Sequence, residues 1–401
     1  MNPCKCILLF CILVSVHFKT GVASFLAPNR STLSLPPHNR KKQILFSTNK
    51  SPASLMELIH TRTNEYPQFG HVSIEGTDPD RPGKVNQDGY FLDRIAVVGA
   101  EEGRDEQYMT LFGIMDGHGL KGHVLVDYLK TQIPHRLRQC MKLLGQGEEE
   151  EGLSQEEEEQ VETFVGKMKS LGNFHEKVPP SENAIETALA KAFILSHVDA
   201  CQDVKVPAGR SGTTCIVCVI DETKRKIYTA HVGDSRGIMG RFHSEGPEQL
   251  IAFQEQLSHE TKVDIPSERS RIEQSEGNIL AGTENVFYGP VGIAMTRALG
   301  DAVMLRAGVV PMPVINSIHL SPEIGSSLFC LGTDGIFDEM SNTDVVETIS
   351  RTYADAGEDR DSAQRIQDAA EAIATEATSR WQADLPIEVK RDDITCLLVR
   401  I

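Results

Sequence analysis

Several familiar sequence features are missing from this chain of 401 residues, and each absence excludes a class of protein. The apolar runs are too short to span a bilayer, and a formal net charge of -17 argues against nucleic acid as the main partner. No Gly-rich loop leads into Lys-Ser/Thr, and no Gly-x-Ser-x-Gly elbow occurs. No cysteine is followed six positions later by arginine, which disfavours a thiol phosphatase.

The cysteines lack the pattern of a disulfide framework or a zinc site. There are nine, an odd number, without repeated zinc-like spacing, so we interpret them as reduced thiols. Cys215 and Cys218 do form Cys-x-x-Cys, but within a predicted strand. Three positions apart on a strand they face opposite sides, which predicts core thiols rather than a chelating pair.

Acidic residues are missing from the N-terminal part of the chain, where none precedes Glu57. Lys5 leads into a short apolar run at 6–16, and Val22-Ala23-Ser24 resembles a small-residue cleavage site. Residues 25–52 are basic and rich in Ser and Pro. We interpret residues 1–56 as a targeting presequence, a signal peptide followed by a transit-like segment.

This leader is similar to the bipartite presequence of algae whose plastids are of secondary origin, in which a phenylalanine follows the signal cleavage point. Phe25 lies at that position. The resemblance predicts a plastid location, and plain secretion is the alternative.

The stretch Leu111-Phe112-Gly113-Ile114-Met115-Asp116-Gly117-His118-Gly119 is the first that indicates chemistry. An apolar run typical of a buried strand ends in an acid, a histidine and two glycines that permit a tight turn. The Asp116 carboxylate and the Gly117 carbonyl are oxygen donors of the kind that Mg²⁺ and Mn²⁺ favour. His118 adds a titratable proton beside them. The alternative is an ordinary strand-to-turn corner with a solvated aspartate.

A second stretch, 328–338, repeats this layout, with an apolar strand followed by Asp334-Gly335. Asp88, Asp234 and Asp392 also border predicted strands. Several carboxylates around hard cations suit a two-metal site, which can activate water and clamp a phosphoryl group.

Between these motifs, apolar spacing predicts helices at 121–144, 182–201, 342–353 and 362–378. The segment 145–180 interrupts the pattern with two runs of four glutamates, 148–151 and 156–159. Repelling like charges with few apolar residues predict a disordered or frayed, solvated insertion.

Taken together, the motifs resemble a metal-dependent Ser/Thr protein phosphatase of the type-2C class, the PPM family, over about Gly70–Ile401. The domain is expected at 65–401, with 145–180 as its insertion. The resemblance implies an α+β fold, a four-layer α-β-β-α sandwich of two antiparallel sheets with outer helices. The motifs that carry it follow the family order: Asn86-Gln87-Asp88, the stretch 112–119, Ser211-Gly212-Thr213-Thr214, 231–236, Glu268 with Arg271, 296–301, 333–338 and 392–395.

By the same resemblance, the chain is an enzyme that hydrolyses phosphoserine and phosphothreonine in proteins by means of a metal-activated water. The implied cofactors are two Mg²⁺ or Mn²⁺ ions and a weaker third. The implied partners are phosphoprotein substrates, with no nucleic acid and no stable membrane span, and the expected state is a monomer. A catalytically silent scaffold, a regulatory binding module and a different two-metal hydrolase are the alternatives.

The resemblance also implies roles for individual residues. Asp116 would bridge two ions, and His118 would protonate the leaving Ser/Thr oxygen. The expected metal ligands are Asp88 (through water), Asp116, Gly117, Asp334 and Asp392, with Asp234 and Asp338 for the weaker third ion.

Three departures from the family pattern stand out. Gln87 replaces a glutamate that often binds metal through water, and the run 257–263 departs from the usual Asp-His-Lys-Pro. Gly83 stands where the family usually has the arginine that anchors phosphate. Lys84 is the expected substitute for that arginine, and Arg81 is the alternative. Arg236 and Arg297 are expected to pair with neighbouring acids.

Overall fold

The computed structural model describes residues 68–97, 107–141, 152–171, 178, 184–244, 250–320, 327–355, 361–383 and 390–400. The chain separates into two units, Met1–Thr61 and Arg62–Ile401, and the described residues all belong to the second. The expected presequence, 1–56, therefore lies outside the described residues.

The strands alternate with turns over most of the chain. They are β1 Phe69–Ile74, β2 Asp88–Val97, β3 Gln107–His118, β4 Gly212–Thr213, β5 Cys215–Asp221, β6 Lys226–Val232, β7 Arg236–Ser244, β8 Leu250–Gln256, β9 Asn278–Ile279, β10 Val286–Tyr288, β11 Val291–Ile293, β12 Leu299–Gly300, β13 Val314–His319, β14 Ser327–Gly332 and β15 Ile394–Arg400.

The helices fall into three groups along the chain. They are α1 Gly122–Met141, α2 Gln155–Leu171, α3 Ala184–Gln202, α4 Pro266–Glu273, α5 Asp334–Phe337, α6 Asn342–Asp355 and α7 Ser362–Ala383, with a 3-10 helix at Ala302–Ala307.

Two sheets form the centre of the fold, and every strand pair in them is antiparallel. One has seven strands in the order β12-β4-β3-β5-β6-β13, with β2 also paired to β3. The other has five, in the order β1-β15-β14-β7-β8. A third sheet of three short strands, β9 to β11, packs around Val286 against α4 and the 3-10 helix.

Side-chain alternation assigns each face of these sheets to a layer. Phe112 of the larger sheet packs with Phe329 of the smaller one in a buried cluster between the two sheets. The next residue, Leu111, faces the other way and packs with Leu129 of α1 and Phe193 of α3. The outer face of the smaller sheet packs on α6 and α7. The result is the expected α+β sandwich, helix–sheet–sheet–helix.

The predicted helices are confirmed with small shifts of their ends, and the six cysteines among the described residues are free thiols, as interpreted. Cys215 packs in the helix-facing cluster and Cys218 between the sheets, so the two lie on opposite faces as free thiols. No helix among the described residues has the length and apolar content to cross a membrane.

The expectation of disorder in the insertion is wrong for part of it. Residues Gln155–Leu171 form helix α2, whose Val161, Val165 and Met168 are buried in a cluster with α3 residues such as Ile194. These three positions recur at helical spacing and form an apolar stripe that the neighbouring glutamates obscure in the sequence. Residues 145–151 and 172–177 lie outside the described residues.

The acidic run of the insertion is also less solvated than expected. Glu157 pairs with Arg136 of α1, which also holds Asp199 of α3 at 2.7 Å. Glu158 pairs with Lys191 of α3 at 2.6 Å. Two of the four glutamates of 156–159 therefore anchor α2 on its neighbours, because cations on α1 and α3 offset the like-charge repulsion.

Candidate active site

The ladder between β2 and β3 brings the first two predicted ligands together. Its register places Asp88 directly opposite Asp116, so the two carboxyl groups leave the same face about 5 Å apart at Cβ. The expected turn at 116–119 starts later than predicted, since β3 continues to His118. The reversal falls at Gly119, where φ is +82°, a conformation that favours glycine.

The Ser211-Gly212-Thr213-Thr214 motif fixes the backbone of Asp116. The Asp116 amide donates to Thr214 Oγ1 at 3.0 Å, and the Asp116 carbonyl accepts from the Thr213 hydroxyl at 2.9 Å. Thr213 and Thr214 are buried, so these bonds are shielded from water. The motif is a packing element, and what it packs around is the site.

Gly117 lies where no other residue fits. A Cβ there would come within 2.6 Å of the Gln87 carbonyl oxygen and 2.9 Å of the Gly122 backbone. The Gly117 amide donates to that Gln87 carbonyl at 3.2 Å. The Asn86-Gln87-Asp88 loop and the end of β3 are therefore in direct backbone contact.

Asp334 and Asp392 reach the site from the smaller sheet. Asp334 follows β14 and begins the short helix α5, and Asp392 precedes the neighbouring strand β15. A Cβ on Gly335 would overlap the Asp393 carbonyl oxygen, so this glycine allows the two segments to approach closely.

Electrostatics shows that the predicted ligands lie close together. Burial, followed by the charges of Asp334, Asp88 and Asp392, raises the pKa of Asp116 well above its ordinary value. Burial and the charges of Asp234 and Asp392 raise the pKa of Asp334 in the same direction. Burial and the nearby Asp393 and Asp392 raise the pKa of Asp88 to about 7. Crowded carboxylates of this kind resist ionisation until a cation neutralises them.

Buried carboxylate oxygens that lack a hydrogen-bond partner show whether these residues fit divalent cations. Buried oxygens of Asp88, Asp234 and Asp334 have no hydrogen-bond partner among the described residues. Such atoms are costly unless a ligand satisfies them, and oxygen-only donors suit Mg²⁺ or Mn²⁺. The His, Cys, Asp and Glu side chains of this part of the chain do not form a ready group of three. The fit to a cation therefore rests on the unused oxygens of Asp88, Asp234 and Asp334; Mg²⁺ usually keeps several waters and binds one or two carboxylates.

The residues expected to hold a weaker third ion lie beside a lysine. Lys262 Nζ is 3.7 Å from Asp234 Oδ2 and 3.0 Å from Glu260 Oε2. Its charge also acts on Asp338, which is exposed. The unusual run 257–263 therefore supplies a cation at this position.

The expected phosphate anchor, Lys84, has two acidic partners. Its ammonium is 2.9 Å from Asp392 Oδ1 and 3.0 Å from Asp393 Oδ1. Although burial lowers it, these two acids raise the pKa of Lys84 overall. Arg81, the alternative anchor, has a largely exposed side chain 3.9 Å from Asp78. Lys84 thus lies within the acidic cluster, and its role as anchor stays a prediction.

His118 is held by Asp301, a residue that the sequence analysis did not name as a site residue. Its Nε2 is 2.5 Å from Asp301 Oδ2. Asp234 also acts on the His118 ring; burial opposes these two acids, and the net effect raises the pKa of His118. The histidine therefore lies within the field of the same acidic cluster.

Two further residues were missed as site residues. Asp393, the second acid of the Asp392-Asp393 pair, accepts from the amides of Gly76 at 2.6 Å and Gln87 at 2.9 Å. Thr333 donates its hydroxyl to Asp88 Oδ2 at 3.0 Å. In the sequence, Asp393 and Thr333 each stand next to a predicted ligand, Asp392 or Asp334. That position does not by itself reveal a partner hundreds of residues away.

The two arginines behave as the sequence predicted. Arg297 pairs with Glu268 at 2.6 Å, and Arg236 pairs with Glu260 while its guanidinium covers the Phe337 ring at 4.6 Å. Both are structural partners of acids within the described residues.

Comparison with known proteins agrees with this geometry. A family model described as "Protein phosphatase 2C" matches residues 104–379, more than half of the chain. "Probable protein phosphatase 2C 34" of Arabidopsis thaliana is 30% identical over 67% of this chain and 67% of that protein. "Probable protein phosphatase 2C 14" of Oryza sativa subsp. japonica is 28% identical over 72% of this chain and 54% of that protein. The chain thus spans about half to two thirds of these relatives.

The fold is also found among solved structures. The crystal structure of serine-threonine phosphatase 2C from Toxoplasma gondii superposes with a TM-score of 0.53 at 18% identity, over 83% of this chain and 99% of that chain. At that identity the likeness concerns the fold alone. With the family match over residues 104–379 and an acidic cluster built by the same motifs, the chain belongs to the protein phosphatase 2C family.

Proposed function

We propose that this chain hydrolyses phosphoserine and phosphothreonine in proteins, with Mg²⁺ or Mn²⁺ as cofactor. The observation that carries the proposal is the convergence of Asp88, Asp116, Asp334 and Asp392 from two sheets, with His118 two residues after Asp116 on the same strand. A scaffold without activity does not require four carboxylates to be held together against their mutual repulsion.

The residues have distinct roles in this proposal. Asp116, Asp334, Asp392 and the Gly117 carbonyl would hold two ions, and Asp88 would orient water beside them. When bound, Mg²⁺ or Mn²⁺ supplies positive charge that neutralises phosphoryl oxygens and makes water more acidic. His118 provides a proton for the departing seryl or threonyl oxygen. The ammonium of Lys84 provides positive charge for the phosphate.

A phosphothreonine-peptide assay on the full chain tests the proposal. Phosphate release should require added Mn²⁺ or Mg²⁺, stop with excess chelator and return when Mn²⁺ is restored. Asp127→Asn, on the exposed face of α1, should behave as wild type. Full activity in excess chelator would contradict the metal site, and an inert but folded chain in Mn²⁺ would favour a catalytically silent scaffold or binding module.

We also infer that the leader directs the protein to a plastid. The support is its two-part composition: a short apolar run at 6–16 with a small-residue cleavage site ending at Ser24, then a basic, acid-free segment that secretion does not need and organellar import uses. A fluorescent fusion of residues 1–55 should label plastids and lose that location on Phe25→Ala. Fluorescence in the medium would favour secretion, and fluorescence in the cytosol would contradict both locations.

A further inference from the structure

The contact between His118 and Asp301 joins two residues that are 183 positions apart in the chain. The Asp301 side chain is 2% exposed, and that of His118 is 24% exposed. The carboxylate is therefore buried behind the ring while one side of the ring remains open. An ion pair or hydrogen bond in such a setting is stronger and more directional than one at the surface.

The ordinary explanation for an aspartate at this position does not apply. Asp301 is the residue before the 3-10 helix Ala302–Ala307, where aspartate usually bonds a backbone amide of the first turn. Its side chain makes no such capping bond. The carboxylate points to His118 instead.

The backbone at Gly300 and Asp301 has an unfavourable left-handed conformation, and in this conformation the Asp301 side chain contacts His118. Gly300 has φ +78°, and Asp301 itself has φ +45° and ψ +43°, in the left-handed region. A non-glycine residue there costs on the order of 1 kcal/mol or more. Backbone bonds from the Asp301 amide to the Ser211 carbonyl at 3.0 Å, and from the Met304 amide to the Asp301 carbonyl at 2.7 Å, hold it in place. Strain maintained in this way is typical of a residue that must point in one direction.

Gly212 leaves the space that the pair occupies. A Cβ on Gly212 would overlap Asp301 Oδ2 and come within 2.5 Å of His118 Nε2. Gly212 pairs with His118 in the ladder of β3 and β4 and with Gly300 in that of β4 and β12. A short strand with a glycine at this point therefore brings histidine and acid together.

We propose that Asp301 is a positioning residue for His118, an inference that rests on the proposed function. The Asp301 carboxylate accepts the Nε2 proton of His118, which fixes the ring orientation and leaves Nδ1 as the atom that acts on substrate. When a water oxygen bonds to phosphorus, the P–O bond to the seryl or threonyl oxygen breaks and its electron pair stays on that oxygen. The oxygen takes the proton from Nδ1, and the ring becomes neutral with its Nε2 proton still held by Asp301.

The test uses the leaving-group dependence of Asp301→Asn. A threonyl oxygen is a poor leaving group and needs a proton, whereas an aryl oxide needs it much less. Asp301→Asn should lower kcat on a phosphothreonine peptide by about 10²-fold and on an aryl phosphate by less than about tenfold, with KM unchanged. His118→Ala should show the same signature, and the double variant should be no slower than His118→Ala.

A purely structural role for Asp301 predicts a different result. Equal losses on the two substrates, or additive losses in the double variant, would overturn the proposal. Gly212→Ala provides a second variant, which separates the pair without removing either group and should reproduce the signature. Gly209→Ala is its matched control, because a Cβ there meets nothing within 4 Å, and it should match wild type on both substrates.

An NMR measurement on the wild-type chain tests the positioning role of Asp301 independently of the proposed function. Nitrogen-15 NMR of His118 in the wild-type chain should show the neutral ring protonated on Nε2. A neutral ring protonated on Nδ1 would overturn the positioning role even if the enzyme is active. A chain inert on both substrates would contradict the proposed function, while the NMR result would still decide whether Asp301 sets the His118 tautomer.

Discussion

Glu268 and Arg297 form a buried ion pair in which Arg297 Nη2 lies 2.6 Å from Glu268 Oε1 and each side chain is 3% exposed. Arg271 also binds both oxygens of this carboxylate, and the Thr296 hydroxyl donates to it at 2.6 Å. Although burial opposes it, the two guanidinium groups hold the pKa of Glu268 well below its ordinary value. One carboxylate therefore ties α4 to the chain around β12.

Replacing this carboxylate should be far more costly than replacing a surface acid. Glu268→Gln removes the negative charge that two buried guanidinium groups share, so the free energy of unfolding should fall by about 3–5 kcal/mol. The control is Glu273→Gln on the same helix, whose partner Arg269 is exposed, and it should cost less than about 1 kcal/mol. Urea unfolding measures both. Similar losses for the two variants would contradict the structural role of Glu268.

The helix in the insertion should contribute to stability. Met168 is buried among residues of α2 and α3, so Met168→Ala should lower the free energy of unfolding by about 2–5 kcal/mol. Lys169→Ala, the next residue and exposed, should change it by less than about 0.5 kcal/mol. Thermal or urea unfolding of the two variants gives the comparison. If Met168→Ala were as harmless as Lys169→Ala, α2 would not be packed on the domain.

A buried histidine should make stability depend on pH. Burial lowers the pKa of His197 to about 4 from its ordinary 6.5, with Asp301 opposing and Lys167 adding to the shift. The unfolded chain therefore binds the proton more readily between these values. Stability from the neutral ring is complete above about pH 6.5 and is lost as pH falls toward 4, by on the order of 3 kcal/mol.

His197→Gln isolates this contribution. His231 has a similarly lowered pKa of about 4, and the raised pKa of Asp88, about 7, acts in the opposite direction, but both groups are present in wild type and variant and cancel in the comparison. Relative to the variant, the wild type should lose stability on acidification, because only it has the proton-binding ring that accepts the Gly300 amide at 3.2 Å. Urea unfolding at pH 7 and pH 5 measures the difference. Parallel curves for the two proteins would refute the contribution.

Within the site, Asp116→Asn should cost more activity than His118→Ala. The first removes charge where the carboxylates converge, while the second removes one proton donor, a loss of about 10²–10⁴-fold. Initial rates on a phosphothreonine peptide across a Mn²⁺ titration should show that Asp116→Asn also needs more metal. A larger loss for His118→Ala than for Asp116→Asn would reverse the assignment of the central ligand.

The phosphate anchor can be assigned by comparing two cations. Lys84→Met should raise the KM for a phosphopeptide by about tenfold, an energy near 1.4 kcal/mol, because its ammonium lies among the expected ligands. Arg81→Met should change KM by less than about twofold, since its side chain is exposed. A rise confined to Arg81→Met would move the anchor to that residue.

The sequence by itself determined the main helices and strands, and through the family resemblance it predicted the fold class and the candidate site. Local patterns set the helices with a clear apolar period, such as Gly122–Met141, the strand that carries Asp116 and the strand that precedes Asp334. Asp88, Asp116, Asp334 and Asp392 could be identified because each stands in a short motif. Local patterns suffice for these elements because the spacing of apolar residues identifies which face of each helix or strand is buried.

Only the tertiary structure decided which distant groups share a contact. Helix α2 packs because Arg136 and Lys191 on other helices neutralise its glutamates, and that offset is invisible within 145–180. Asp301 follows a glycine in what reads as an ordinary turn, and nothing near it in the chain indicates His118. Their pairing requires β4 to lie between β3 and β12, so it follows from the order of strands in the sheet rather than from any local sequence pattern.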